Sequence, residues 1–308
     1  MLWNTQATMI DPASYIAPGK LPAIEAAALT ACDAIDGIKD GVIENPTKCR
    51  FDPGILQCKN GESDTCLTAP QIAALRKIYA GPRNSKGVQI APGLFPGAET
   101  GDGWTGPITG SKPGTSSNYA SGVGSLSNMV HQDPLWDFRT FNLDRDVPIM
   151  SEKMGPWRYA VDPDLTRFKN RGGKLILYHG WNDPLLPPEG TIQYYQAVSS
   201  RMGQKSTGDF VRLYMVPGMN HCGSGPGTIS FGAAVGGGDP ERSIATALER
   251  WVESGVTPET IIASKYKTPH DPASGLVRTR PLCRYPQVAQ YKGSGSTDEA
   301  ANFACQSP

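Results

Sequence analysis

Two residues in the second half of this 308-residue chain have the types and placing of an acid–base pair. Asp183 lies in Tyr178-His179-Gly180-Trp181-Asn182-Asp183-Pro184, and His221 lies in Pro217-Gly218-Met219-Asn220-His221-Cys222-Gly223. Each segment follows a short apolar run. A histidine there can take a proton from a nucleophile, while a carboxylate fixes its tautomer and stabilises the imidazolium. The same residues also read as a helix or turn cap and a loop histidine, and the pair alone does not choose. A second cluster is Cys32-Asp33-Ala34-Ile35-Asp36-Gly37-Ile38-Lys39-Asp40-Gly41-Val42-Ile43. Three carboxylates so close repel one another unless a cation sits among them, and glycines let a chain curl around a hard ion. The spacing is not that of an EF-hand, and two Asp-Gly turns on a solvated loop explain it slightly better.

Asp before His, one helix apart, is the order of the last two members of an α/β-hydrolase triad. The nucleophile is missing. No serine of the sequence has Gly at both minus two and plus two, and no strand-turn-helix upstream offers an elbow. His179 is a rival base, but it shares a loop with Asp183 and reads as structural. His131 and His270 have no ligand-spaced partner, and without His-x-x-His or Cys-x-x-Cys a zinc site is not expected.

The elements that must hold Asp183 and His221 alternate. Lys174–Tyr178 reads as a strand buried on both faces, Pro188–Met202 as a helix ended by Gly203, and Phe210–Val216 as a second strand. Asp239-Pro240 starts a helix whose apolar face is Ile244, Leu248, Trp251 and Val252, with Gly255 after it. Thr260–Ala263 reads as an edge strand. The expectation is a parallel sheet with flanking helices at 158–308. Residues 1–157 read as irregular, with one clear helix. Thr68-Ala-Pro-Gln71 caps it, Ile72, Leu75, Ile78 and Tyr79 give its face, and Gly81 ends it. From Gly81 to Gly124 the chain reads as loops and short hairpins.

Composition narrows the function classes. Lys plus Arg equals Asp plus Glu at 29 each, and 39% of residues are hydrophobic. That supports a real core and argues against a nucleic-acid groove or a surface for anionic membranes. No apolar run approaches the roughly 20 residues of a membrane span. Gly (35) and Pro (27) make about a fifth of the chain, which argues against a bundle or coiled coil. Seven cysteines, several in polar turn-rich sequence, point to a secreted or periplasmic protein. Yet Met1-Leu2-Trp3-Asn4 has neither the basic start nor the apolar stretch of a signal peptide, so the natural N-terminus is expected elsewhere.

Several long motifs together resemble the tannase and feruloyl esterase family, which includes the hydrolase of mono(hydroxyethyl) terephthalate. They are Cys32–Ile43, Asn45–Pro53, Tyr79-Ala-Gly-Pro-Arg83, Gly173–Asp183 and Met219-Asn-His-Cys222. The resemblance implies secreted serine esterases with an α/β-hydrolase core and a large lid. By it, 1–157 is the lid with a calcium loop, and 158–308 is the C-terminal part of the core. It makes Asp183 the acid and His221 the base. It implies a structural Ca²⁺ held by the side chains of Asp33, Asp36 and Asp40 and the carbonyls of Ile38 and Val42. It pairs Cys32 with Cys49, Cys58 with Cys66 and Cys283 with Cys305. In the family a further disulfide joins the Cys before the nucleophilic Ser to the Cys after the base. Here that leaves Cys222 unpaired, and places the Cys-Ser segment before Met1. The implied substrate is a small ester of a hydroxybenzoic or hydroxycinnamic acid, with the chain inactive alone. The rival class is a non-catalytic calcium-stabilised binding module, or one half of a two-chain assembly.

Overall fold

The structure, a computed structural model, describes residues 1–158, 160–232 and 241–308. Residues divide into two compact units. The first comprises Met1–Ala28, Arg50–Val161 and Asp183–Gly190; the second comprises Leu29–Cys49, Asp162–Asn182 and Thr191–Pro308. This departs from the expected division at 157/158. Residues 29–49, expected with the first part, fall in the second unit, and residues 183–190, expected with the second part, fall in the first. For 29–49 the cause is direct bonding: Asp40 pairs with Arg278 and Arg280, and Gln290 Nε2 donates to the Asp36 carbonyl at 2.6 Å.

The first unit is far more helical than expected. It contains α1 (Leu2–Met9), most of α2 (Leu21–Cys32), α3 (Ala69–Ala80), α4 (Ser117–Ser125) and α5 (Leu143–Arg158). Only α3 was legible as a helix. Its Gln71 side chain returns to the Thr68 N–H at 3.0 Å, and Ile72, Leu75 and Ile78 are buried with Leu21, Ile24 and Trp104. α4 lies where loops were expected, because Ser, Asn and Gly carry little helix propensity. It is held by its ends and its neighbour instead. Ser116 Oγ accepts from Tyr119 N at 3.2 Å, and a Cβ at Gly122 would come within 3.2 Å of Leu2 N on α1. Within this core Glu99 is fully buried, receiving the Tyr79 hydroxyl at 2.6 Å and the Gly97 N–H.

The second unit follows the expected alternation. After the short α6 (Thr166–Asn170) come β1 (Leu175–Gly180), α7 (Glu189–Met202), the short α8 (Gln204–Gly208) and β2 (Val211–Val216). β1 and β2 run parallel, from Leu175 opposite Val211 to Gly180 opposite Val216. Every residue of β2 is buried. β1 corrects the expectation of burial on both faces. Among the described residues it pairs with β2 alone, it is mostly half-buried, and Tyr178 is 41% exposed. The proposed start of the next helix, Asp239-Pro240, lies outside the described residues. The helix itself, α9, runs Ile244–Ser254, with Ser243 Oγ accepting from Thr246 N at 3.2 Å. Its buried residues are Ile244, Ala247 and Trp251, whereas Val252 is exposed.

Thr260–Ala263 belongs to a longer strand, β3 (Thr260–Tyr266), paired antiparallel with β4 (Leu276–Cys283). β5 (Val288–Tyr291) and β6 (Phe303–Gln306) form a last antiparallel pair. Tyr214, Val216, Ile244, Ile261 and Leu282 share one core, each worth roughly 1.5–3 kcal/mol of apolar burial. Helices and parallel strands in this order make the fold class α/β.

Three disulfides close local loops: Cys32–Cys49, Cys58–Cys66 and Cys283–Cys305, with Cα separations of 5.3, 4.9 and 5.5 Å. They are the three pairs the resemblance implied, and Cys222 is the free, exposed thiol.

Candidate active site

The ends of β1 and β2 stay together after the strands stop. Trp181 N donates to Val216 O and Asn182 N to Met219 O, both at 3.0 Å. Gly180 makes this possible, since a Cβ there would lie 2.2 Å from Met219 O. The chain therefore reaches Asp183 one residue after this contact, and His221 two residues after Met219.

Asp183 is buried, with 5% exposure. Its Oδ1 accepts from Leu185 N at 2.8 Å and Leu186 N at 2.9 Å, so the carboxylate does cap the turn that follows. Those bonds also fix its orientation. His221 opens a single 3₁₀ turn, His221–Gly223, and is half-buried. Its neighbour Cys222 has φ +58°, a left-handed backbone that costs a non-glycine residue about 1–3 kcal/mol and persists only where the surroundings impose it. The loop supplies that constraint. Asn220 N donates to Ser224 O at 2.7 Å and Gly227 N to Gly218 O at 3.1 Å.

His270, set aside in the sequence for want of a ligand-spaced partner, braces this loop. Its Nε2 donates to Gly223 O at 2.7 Å, which leaves Nδ1 to accept from the Ser230 hydroxyl at 3.1 Å. No local pattern announces a residue 49 positions from His221. His179 bonds Thr191 Oγ1 of α7 at 2.7 Å through Nδ1, tying strand to helix as its structural reading requires. His131 stacks on Trp136, with Nε2 3.7 Å from Asp146 Oδ1.

The acidic loop is folded on itself. Asp33 accepts from Asp40 N at 3.2 Å and Gly41 N at 3.0 Å; Asp36 Oδ1 accepts from Ile38 N at 3.2 Å. Asp40 Oδ1 accepts from Val42 N at 3.2 Å, and its Oδ2 lies 2.7 Å from Arg278 and 2.6 Å from Arg280. A fourth carboxylate, Glu44, accepts from Ala289 N at 3.0 Å. The sequence motif stopped short of it. Burial pushes Asp36 up to about 6 and Glu44 up to about 8, with neighbouring carboxylates adding to both. Asp36, Asp40, Val42, Glu44, Arg278 and Arg280 help to line a cavity of about 10 Å³, room for roughly one ion or water. The donors are oxygens only, the chemistry of a hard cation. As the side chains stand, two guanidiniums occupy Asp40. Among the described residues no group of three or more His, Cys, Asp or Glu is placed to hold a metal.

A sequence profile described as Tannase and feruloyl esterase matches residues 1–306. An uncharacterised esterase of Xanthomonas campestris is 42% identical, across 99% of this chain and 57% of that protein. A probable feruloyl esterase B-2 of Aspergillus terreus is 33% identical, across 94% of this chain and 54% of that protein. The chain thus spans little more than half the length of these relatives. The crystal structure of an esterase from Aspergillus oryzae superposes with a TM-score of 0.87 at 28% identity, covering 99% of this chain and 60% of that one. By the extent of the profile match and the agreement of fold, this chain belongs to the tannase and feruloyl esterase family.

Proposed function

We propose that the chain carries the acid and base of a serine-type carboxylic-ester hydrolase acting on small esters of hydroxybenzoic or hydroxycinnamic acids. The observation that carries this is the backbone bond from Asn182 N to Met219 O, one residue before Asp183 and two before His221 in the sequence, where the parallel strands β1 and β2 end. In the reaction a serine hydroxyl attacks the ester carbonyl and its proton passes to His221. Asp183 stabilises the imidazolium. His221 then gives the proton to the departing alcohol, and a second cycle with water releases the acid. Relatives named feruloyl esterase support the aromatic acyl group.

The nucleophile is proposed to come from a Cys-Ser segment outside residues 1–308, because the sequence contains no Gly-x-Ser-x-Gly. The exposed Cys222 thiol beside His221 would receive that segment's cysteine. The 308-residue chain alone should hydrolyse methyl ferulate and methyl gallate at the uncatalysed rate. Adding the Cys-Ser segment should produce turnover, and His221→Ala should then lower it about 10³-fold or more. Turnover by the chain alone refutes the assignment. No gain on adding the segment favours a non-catalytic module.

The three disulfides and the family support a secreted or periplasmic location. The acidic loop is proposed to hold one structural Ca²⁺ through the side chains of Asp33, Asp36 and Asp40 and the carbonyls of Ile38 and Val42. Its excess of carboxylates over guanidiniums, partly buried around an ion-sized cavity, supports this reading. Metal analysis of protein never exposed to chelator should find one calcium per chain, lost in Asp36→Ala. Zinc, or no metal, would sink the assignment.

A further inference from the structure

A second opening, unrelated to the Asp183 and His221 loops, lies entirely within the second unit. It is a cleft of about 820 Å³ between α7 and the turn that follows β4. Tyr195, Gln196 and Ser199 of α7 line it on the helix side, with Gln204 just beyond the helix, and Tyr285 and Gln287 line it from the turn after β4. Residues 195, 196 and 199 fall on one side of the helix by its period. The two tyrosine rings meet edge to face, with centroids 6.0 Å apart at 85°. Both tyrosines line the cleft and are half-buried, so part of each ring stays open to it.

The chemistry of this lining is specific. No Asp, Glu or Lys lines it. Its two arginines are already engaged by one carboxylate, with Arg212 Nη2 2.9 Å from Glu259 Oε1 and Arg284 Nε 2.8 Å from Glu259 Oε2. The side chains of Gln196, Ser199, Gln204 and Gln287 make no hydrogen bond within the described residues. What remains to recognise a ligand is aromatic rings, carboxamides and serine and tyrosine hydroxyls. A carboxamide both donates and accepts in one plane, and a hydroxyl does both. That set matches a molecule whose edge carries neutral hydroxyls, each donor and acceptor, and whose face carries C–H groups to lie on a ring.

The walls are also fixed before any ligand arrives. Tyr285 N donates to Leu213 O of β2 at 2.7 Å, Gln287 N closes a turn on Arg284 O at 2.9 Å, and the opposite wall is helix. A preorganised lining loses little on binding. The volume falls within the range of small-ligand sites and exceeds what one sugar ring needs.

We propose that this cleft is a binding site for a neutral saccharide of two or more pyranose units, with Tyr195 and Tyr285 as stacking surfaces and Gln196, Gln204 and Gln287 as hydroxyl readers. The site stands apart from the ester-hydrolase reading, and its test does not use ester hydrolysis.

The experiment titrates the full chain with cellobiose and with xylobiose, followed by saturation-transfer NMR and calorimetry. Digalacturonic acid serves as the charged comparison. Saturable binding of a neutral disaccharide in the millimolar range is expected. Tyr285→Ala should weaken it about tenfold or more and Gln287→Ala several-fold, whereas Tyr285→Phe keeps the ring and most of the affinity. Circular dichroism confirms that each variant is folded. Should Tyr285→Ala fail to fold, Gln196→Ala and Gln287→Ala carry the test. Absence of saturation by both neutral sugars at about 50 mM overturns the proposal, since that concentration exceeds the expected Kd tenfold or more. So does binding that the glutamine variants leave unchanged, or tighter binding of digalacturonic acid, which would make this an anion site.

Discussion

Glu99→Gln should reverse its effect on stability between pH 4 and pH 8. Glu99 is completely buried in the core of the first unit, and burial is the main force raising its carboxyl to about 7, against 4.5 in an open chain. Nearby Glu25 adds to the rise, while the Tyr79 hydroxyl and Gly97 N–H oppose it. A folded value above the unfolded one means that the folded state holds the proton more tightly. Its contribution is therefore full below about 4.5 and is lost as pH rises through about 7. The shift of about 2.5 units corresponds to roughly 3 kcal/mol lost between pH 4.5 and 8, at about 1.4 kcal/mol per unit. Glutamine does not titrate. It does, however, replace an oxygen that faces the Gly97 N–H, 3.1 Å from both carboxyl oxygens, and that mismatch costs about 1 kcal/mol at every pH. The variant should thus be nearly 1 kcal/mol less stable than the parent at pH 4, close to parity at pH 5, and about 2 kcal/mol more stable at pH 8. Urea unfolding with disulfides intact, at pH 4, 6 and 8, measures both curves. Parallel curves for parent and variant would refute the argument, because they would mean that Glu99 titrates alike in the folded and unfolded chain.

Two further outcomes follow from the thiols and the strand-end contact. Native, unreduced protein should release one equivalent of thionitrobenzoate from Ellman's reagent, and Cys222→Ser should release none; a second reactive thiol would break the assignment of three disulfides. Gly180→Ala places a methyl 2.2 Å from Met219 O and should cost about 2–4 kcal/mol, read as a lowered unfolding midpoint. An unchanged midpoint would mean that residues 180–182 and 216–219 do not meet as described.

Elements that bury a regular stripe were legible in the sequence: α3, α7 and β2 lie within two residues of where periodicity places them. α4 was not, because its stability comes from a Ser116 cap and close approach to α1 rather than from its own residues. β1 was read as fully buried from its composition, but composition reports hydrophobicity and not how many neighbours a strand has. The candidate site divides the same way. Asp183, His221 and Asp33 to Asp40 are visible because residue type and local spacing mark them. Glu44, Arg278, Arg280 and His270 act across the chain, with Arg280 reaching Asp40 over 240 positions, and no local pattern encodes such a meeting.

The membership of residues 29–49 in the second unit has a consequence for how the chain is made. During synthesis this segment emerges more than two hundred residues before Arg278 and Arg280, which hold Asp40. At about 5–20 residues per second, Asp40 waits roughly 10–50 seconds for them. The long piece of the first unit, Arg50–Val161, is complete well before then. It can collapse on its own local helices while the segment before it stays unpaired, and loop closure around it is the slow, high-contact-order step. Cys32–Cys49 shortens that exposure, since its partners are only 17 residues apart and can join before either arginine exists. An oxidant acting on the nascent chain would therefore set the acidic loop's shape first, and the C-terminal strands would arrive to a loop already closed.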